Sequence, residues 1–339
     1  MKICLSNINP KVGNKKRNIK KMEKVIKSAE ADIHVFGEMS LTGYVCREEV
    51  FSLAEGKEGE SIKKMQEISR ESDSIIIFGM PVEERKGIVH NSAVAVDGDV
   101  VHIYHKNFLA NFGPFEEKFY FVEGKDIPVF NLRGIKIGMC ICYDIFFPEL
   151  VKTLALKGAD LIVCISASPT ISKEHFERVL PARATENTVF MAYSNLVGEQ
   201  DGLVFWGGSQ LYSPIGNLVA RAEYFKEDYV IHEMDFDLLR EARIARPTLR
   251  DSRGEKFLQA FNAAEGKHVF NDYVKAGIEI ASKAGKGWEE VEVHGNEDVV
   301  FGIKMVMGGG IKVTMVKDEE IKGIFRREGK EMEVRYGEN

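Results

Sequence analysis

Two hydrophobic periods take turns along this chain. Residues 1–8 form an apolar run of strand character. Asn14 then stands where a helix cap belongs, with Ile19, Met22, Val25, Ile26 and Ala29 recurring at helical spacing behind it. The strand "DIHVF" follows, and a second cycle pairs the helix "SIKKMQEISRES" with the strand "SIIIFGM". A hairpin, "SAVAVDGDVVHIYH", turns at Asp97–Gly98. Further on, "IKIGMCIC" is a buried strand, "PELVKTLALKGA" a helix and "DLIVCIS" a strand. The helix "EHFERVLPARATENT" leads to the strand "VFMAYSNLV", and "GSQLYSPIGNLVARAE" is a last hairpin. Strands alternate with helices, yet hairpins interrupt the alternation. The pattern predicts an α/β fold with mixed rather than purely parallel sheets.

The pattern changes after Arg246–Pro247. Residues 246–259 read as a polar, charged linker or arm, and residues 260–339 as a small α+β appendage of unreadable role. In it, "FNDYVKAGIEIASKA" is a helix closed by Gly285, "WEEVEVHG" alternates as a strand, and "VVFGIKMVMGGGIKVTMV" is a hairpin turning on its three glycines. Those glycines lack the Lys-Ser/Thr pair and following helix of a phosphate loop. The main domain is expected at residues 1–245.

Composition narrows the function classes. The 339 residues exceed one modest domain, and 44 % hydrophobic content supports a sizeable core. No stretch approaches membrane-span length, and the N-terminus lacks the apolar core of a signal peptide, so a cytoplasmic protein is expected. A net charge of −6 and the lack of a basic stripe argue against nucleic acid as a partner. The five cysteines are odd in number and lie mostly in or beside apolar runs, which fits reduced thiols better than a disulfide framework.

Candidate chemistry gathers at strand ends. Cys140 lies inside an apolar strand and reads as core. Cys142 falls at that strand's C-terminal end, where open α/β sheets place ligands, with a helix opening shortly after at Phe147–Pro148–Glu149. Backbone N–H groups and the helix there would favour a thiolate. The Cys-x-Cys pair has no second Cys/His pair at ligand spacing, and His105 and His175 stand isolated, so no metal is expected. A Cys140–Cys142 disulfide is sterically poor. Glu38 ends the strand "DIHVF" and Lys106 ends "VHIYHK". Strand ends meet water and carry charge for that reason alone. An acid, a cation and a thiol together, however, supply a base, an oxyanion partner and a nucleophile.

The segments "GEMSLTGY", "YHKNFLANFGPFEEKFYFVEG" and "GMCICYDIFFPEL", in that order, resemble the three signatures of the nitrilase superfamily of carbon–nitrogen hydrolases, over roughly residues 1–245. The resemblance implies an αββα sandwich and a catalytic set of Glu38, Lys106 and Cys142. It adds a second acid at Glu117, with Glu116 as competitor, and an oxyanion site made by Lys106 and the N–H of Tyr143. It implies hydrolysis of a small linear amide to carboxylate and ammonia through a thioester, with no cofactor, in a homodimer or higher oligomer. Phe112, Ser166 and Ser168 are candidate substrate contacts. Gln200, Asp201 and Trp206 are expected at a rim or an interface, and Arg183 with Glu186 in an internal salt bridge. Several segments, "YSNLVGEQDGLVFWGGSQLYSP" among them, are similar to the glutaminase domain of glutamine-dependent NAD synthetase. That domain carries Glu after the nucleophile where this chain has Tyr143, and the synthetase half with its pyrophosphate loop is missing. A stand-alone amidase therefore ranks above a glutaminase that feeds a separate synthetase subunit, and a non-catalytic scaffold is the third reading.

Overall fold

A computed structural model describes residues 1–264, 272–285, 287–308 and 310–337. The apolar run at 75–78 is buried on both faces, and its surroundings explain why. Ile75 and Ile77 join an apolar cluster with Ile3, Leu5, Ile33 and Val35, which continues into Ile137, Met139 and Ile141 of a second sheet. Ile76 and Phe78, pointing the other way, pack with Ile19, Met22, Ile26, Ile62 and Met65 of two helices. A strand covered on both faces loses its polar alternation, and that is the pattern the sequence carries here.

Two six-stranded mixed sheets result. In the first, the order is Asp228–Glu233, Lys2–Asn7, Ile33–Val35, Ile75–Arg85, Ile88–Asp97, Val100–His105. The second runs Leu218–Arg221, Gln210–Tyr212, Phe190–Asn195, Leu161–Ser166, Ile135–Ile141, Val129–Leu132. The central three strands of each sheet, Lys2–Asn7 to Ile75–Arg85 and Ile135–Ile141 to Phe190–Asn195, are parallel. The sheets face each other, and the Ser194 hydroxyl donates across the gap to the Ser6 and Val35 carbonyls. Helices Lys15–Ser28 and Glu60–Ser72 cover one outer face, and Pro148–Leu156 and Lys173–Asn187 cover the other. This is the αββα sandwich. The Asp228–Glu233 strand, which pairs antiparallel with Lys2–Asn7, was not among the expected elements, although its alternating burial is a period-two signal.

The chain divides into two units, Met1–Ser252 and Arg253–Asn339. The expected arm at 246–259 is not one extended element, because a helix, Gly254–Ala264, starts inside it. Phe257, Leu258 and Phe261 give it a helical spacing. In the second unit, a four-stranded sheet has the order Lys312–Val316, Glu290–His294, Lys322–Arg327, Lys330–Arg335. The helix expected after the arm is present as Asp272–Ala284, ahead of this sheet, while Phe270 and Asn271 lie outside the described residues. The expected hairpin over "VVFGIKMVM" is instead a helix, Glu297–Met307. The Asn296 side chain caps it by accepting the N–H groups of Asp298 and Val299, and acids fill its first turn. Of the three glycines, Gly309 lies outside the described residues. The two helices approach through their backbones: a Cβ on Gly277 would sit 2.2 Å from the Val299 carbonyl oxygen.

Candidate active site

Three buried charged side chains meet beyond the ends of the strands Ile33–Val35 and Val100–His105. Lys106 Nζ donates to Glu38 Oε1 at 2.8 Å and to Glu117 Oε1 at 2.7 Å, and all three side chains are buried. Glu116, the competitor for Glu117, is exposed. The difference has a local cause. A one-turn helix, Glu117–Phe119, turns Glu117 inward, where its carboxylate accepts the Ala110 N–H at 2.9 Å and the Tyr44 hydroxyl at 2.7 Å.

Glu38 is held on every side. Its Oε1 also accepts from Asn91 Nδ2 at 2.7 Å, and its Oε2 from the Ala167 N–H at 2.7 Å. The Glu38 N–H donates to the Ser166 carbonyl. Met39, next in the chain, takes φ +52°, a left-handed conformation that non-glycine residues rarely adopt. Gly79 passes close by, and only a residue without Cβ fits there.

Cys142 also occupies the left-handed region, at φ +48°. It ends the Ile135–Ile141 strand and opens a short 3₁₀ turn, Cys142–Phe146; the α-helix starts only at Pro148. The nucleophile candidate thus sits at the strand's end, as expected, with the helix opening at Pro148 as expected, but a tight turn that the sequence did not announce lies between the two. Asp144 secures that turn. Its carboxylate accepts the Ile141 N–H at 2.9 Å, the Phe108 N–H at 2.8 Å and the Tyr104 hydroxyl at 2.7 Å. The strand carrying Cys142 is thereby tied to the segment that follows Lys106. Arg183 reaches the same turn, donating from Nε to the Ile145 carbonyl while pairing with Glu186 at 2.8 Å.

Electrostatics set the resting protonation. Burial, reinforced by the Glu38 carboxylate, pushes the Cys142 thiol well above its ordinary range, and Lys106 only partly opposes this. Burial and Glu38 thus oppose the lowering expected from nearby N–H groups. Burial works against the Lys106 ammonium, but Glu117 and Glu38 outweigh it and hold the charge firmly. Burial raises Glu117 above the usual carboxylate range, against the pull of Lys106. Asp144 is raised by burial to about 6.

The other expected site residues fall in different places. Phe112 is half exposed and lies 4.9 Å from the Tyr143 ring, which also meets Phe147 at 5.0 Å. Ser166 and Ser168 are fully buried. The Ser168 hydroxyl accepts the Trp206 indole N–H at 3.2 Å, and its backbone is held by Asn195. Trp206 is buried, not at a rim, because it stacks on Tyr193 at 5.4 Å. Gln200 is buried too, accepting the Tyr44 and Val45 N–H groups, whereas exposed Asp201 pairs with Arg47. A cavity of about 250 Å³ adjoins the charged cluster, walled by Tyr44, Glu117, Glu116, Tyr120, Arg47 and Asp201. All five cysteines are free thiols.

Residues 2–244 match the family model of the carbon–nitrogen hydrolases, and the chain belongs to that family, the nitrilase superfamily. It is 37 % identical over 250 residues to a glutamine-dependent NAD(+) synthetase of Aquifex aeolicus, covering 72 % of this chain but only 44 % of that protein. To a nitrilase of Pyrococcus abyssi it is 34 % identical over 270 residues, covering 76 % of this chain and all of the relative. Among solved structures, an amidase from Nesterenkonia sp. superposes with a TM-score of 0.67 at 26 % identity, over 76 % of this chain and 95 % of that one. A carbon–nitrogen hydrolase from Helicobacter pylori reaches a TM-score of 0.71 at 24 % identity, over 77 % of this chain and 98 % of the other, a likeness of fold. Among the described residues, no helix is long and apolar enough to cross a membrane.

Proposed function

We propose that the protein hydrolyses a small linear amide to a carboxylate and ammonia through a thioester on Cys142. The observation that carries this reading is the buried Glu38–Lys106–Glu117 cluster, set beside a thiol on a strained turn. Glu38 takes the thiol proton as Cys142 Sγ bonds to the amide carbon. Lys106 Nζ and the Tyr143 N–H hold the resulting oxyanion. As the intermediate collapses, the C–N bond breaks, Glu38 gives its proton to the leaving nitrogen, and ammonia departs. Water then attacks the thioester carbon and loses a proton to Glu38. The C–S bond breaks, the acid leaves, and the thiolate regains its proton. Glu117, hydrogen-bonded to Lys106, holds the cation in place throughout. The raised thiol supports the need for a base at the first step.

An amidase acting alone is favoured by Tyr143. Its ring is packed among Phe112, Phe146 and Phe147, so the position after the nucleophile offers an aromatic wall and no carboxylate for an ammonium group. A glutaminase feeding a separate synthetase is the second reading, supported by the similarity to glutamine-dependent NAD synthetases. Ammonia release from short aliphatic amides, ω-amidodicarboxylates, N-carbamoyl amino acids, asparagine and glutamine separates the two. Turnover of a non-amino-acid amide by the protein alone supports the amidase. Turnover of glutamine alone, stimulated by a copurifying synthetase, replaces it with the glutaminase. Pairing into a homodimer belongs to the same proposal and is read by sedimentation.

A further inference from the structure

An ionised carboxylate offers about four acceptor sites, two on each oxygen. Among the described residues, three donors fill sites on Glu38. Lys106 Nζ at 2.8 Å and Asn91 Nδ2 at 2.7 Å both donate to Oε1. The Ala167 N–H donates to Oε2 at 2.7 Å. Oε1 is saturated, and the remaining lone pair belongs to Oε2. The sheet register places that oxygen on the sulfur's side of the site. Ile141 pairs with Ile165 on the neighbouring parallel strand, so Cys142 comes level with Ser166, one residue before the Ala167 N–H that Oε2 accepts. Neighbouring strands run about 4.8 Å apart. Oε2 is thus anchored at the end of the strand beside the one that carries Cys142, while Oε1 is held by two residues of the other sheet's side.

Asn91 is placed for this one bond. It is fully buried and leaves its strand on the same face as Ala93 and Ala95, which belong to the apolar cluster between the sheets. One end of its amide donates to Glu38. The other end, Oδ1, is buried and has no hydrogen-bond partner among the described residues. Turning the amide over would set that oxygen against a carboxylate oxygen, so Glu38 fixes which end faces it. An unmet buried acceptor is costly, and leucine, of similar shape, would fill the position without that cost. The donor end is what the position requires. The Asn91 backbone carbonyl also accepts the Lys106 N–H at 2.8 Å, so one residue steadies both donors to Oε1.

We propose that Asn91 is the positioning residue of the base: by filling the second site on Glu38 Oε1 it leaves Oε2 as the atom that takes the Cys142 proton and hands it to the leaving nitrogen. This role rests on the hydrolysis proposed above. Lys106 cannot supply it alone, because its ammonium is a point charge on a flexible stem and is shared with Glu117. The planar Asn91 amide adds the second donor that fixes the plane of the carboxylate. It acts through Glu38 in every step in which that acid moves a proton. Its N–H also favours the ionised carboxylate, the form that can take the thiol proton.

The test is turnover of an amide that the protein hydrolyses, measured as kcat, KM and the pH profile of kcat/KM for wild type, Asn91→Leu and Asn91→Ala, with thermal unfolding alongside. The titratable groups around the carboxylate, namely Lys106, Glu117, Tyr44 and Cys142, are unchanged in both variants. The expected result is a kcat lower by about a hundredfold, the cost of a misplaced reacting group, with KM within about threefold. The acid limb of kcat/KM moves up by about one pH unit, since a carboxylate with one donor fewer holds its proton more tightly. The unfolding temperature of Asn91→Leu stays near that of wild type. A kcat close to wild type in either variant overturns the proposal. So does a lower kcat with an unmoved acid limb, or a failure of both variants to fold, either of which would make Asn91 a structural group. A wild type that turns over no amide overturns the hydrolysis itself and this role with it, whereas wild-type turnover kept in the variants overturns the role alone.

Discussion

Gly79 and Glu38 touch through their backbones. A Cβ on Gly79 would lie 2.7 Å from Glu38 Cα and 2.3 Å from the Met39 nitrogen, a clash that only movement of the acid's own loop relieves. Gly79→Ala is expected to displace Glu38 while leaving most of the core in place. Overpacking costs about 1–3 kcal/mol. A misplacement of about 1 Å in a reacting group costs roughly a hundredfold in rate. Turnover and urea titration on the same preparation check this; full activity in Gly79→Ala would show that the close approach does not position Glu38.

The two cysteines of the signature strand are expected to part company. Cys142→Ala loses turnover by roughly a thousandfold or more. Cys140→Ala retains it within about threefold and loses on the order of 1 kcal/mol of stability to the small void. Cys140 faces the core with no exposure, packed in the same apolar cluster as Ile137, Met139 and Cys164. Equal losses in both variants would place the sulfur chemistry elsewhere.

Lys106→Met leaves Glu38 and Glu117 buried without their counter-charge. Breaking a buried pair costs about 3–5 kcal/mol. The sign of its pH dependence follows from the charges. Without the ammonium, the Glu117 carboxyl, already raised by burial, rises further above its unfolded value. Its protonated form is tolerated in the folded state, so the deficit is smallest at acid pH and grows as pH rises through the folded value. Denaturation of the variant at pH 5 and pH 8 checks it, and a deficit that shrinks toward pH 8 contradicts the assignment.

Asp144 titrates at about 6 in the folded protein against an ordinary 3.8. A raised carboxyl favours folding while protonated, and that contribution fades as pH rises toward and through 6. Two units correspond to roughly 3 kcal/mol. The stability of wild type relative to Asp144→Asn is therefore expected to fall by about that amount between pH 4 and pH 7. The asparagine keeps a single acceptor oxygen where two backbone N–H groups and a hydroxyl now converge, so its turnover drops as well. A pH-independent difference between the two proteins would mean that Asp144 does not titrate in this range.

Much of the sandwich was legible because a strand buried on both faces and an amphipathic helix leave distinct periods in the sequence. The run at 297–307 was not, since an almost continuous apolar stretch fits either period and only the Asn296 cap and the acids behind it decide the matter. Glu38, Lys106 and Cys142 stood out as unlike groups at strand ends, and the structure gathers two of them into one hydrogen-bonded cluster with Glu117. Their supports left no such trace. Asn91 lies 53 residues from Glu38 in the middle of an apolar strand. The Ala167 N–H has no side chain to announce it. Asp144 was visible beside the nucleophile, yet its role depends on Phe108 and Tyr104 arriving from another sheet.

The central claim is a covalent acyl group on Cys142, and acid quenching during turnover tests it most directly. The protein is mixed with an amide it hydrolyses, quenched, digested and weighed by mass spectrometry. The expected result is the Cys142 peptide heavier by the acyl group, an adduct removed by hydroxylamine and missing from Cys142→Ala. Sustained ammonia release from Cys142→Ala at the wild-type rate, or an acyl adduct on any other residue, would contradict it.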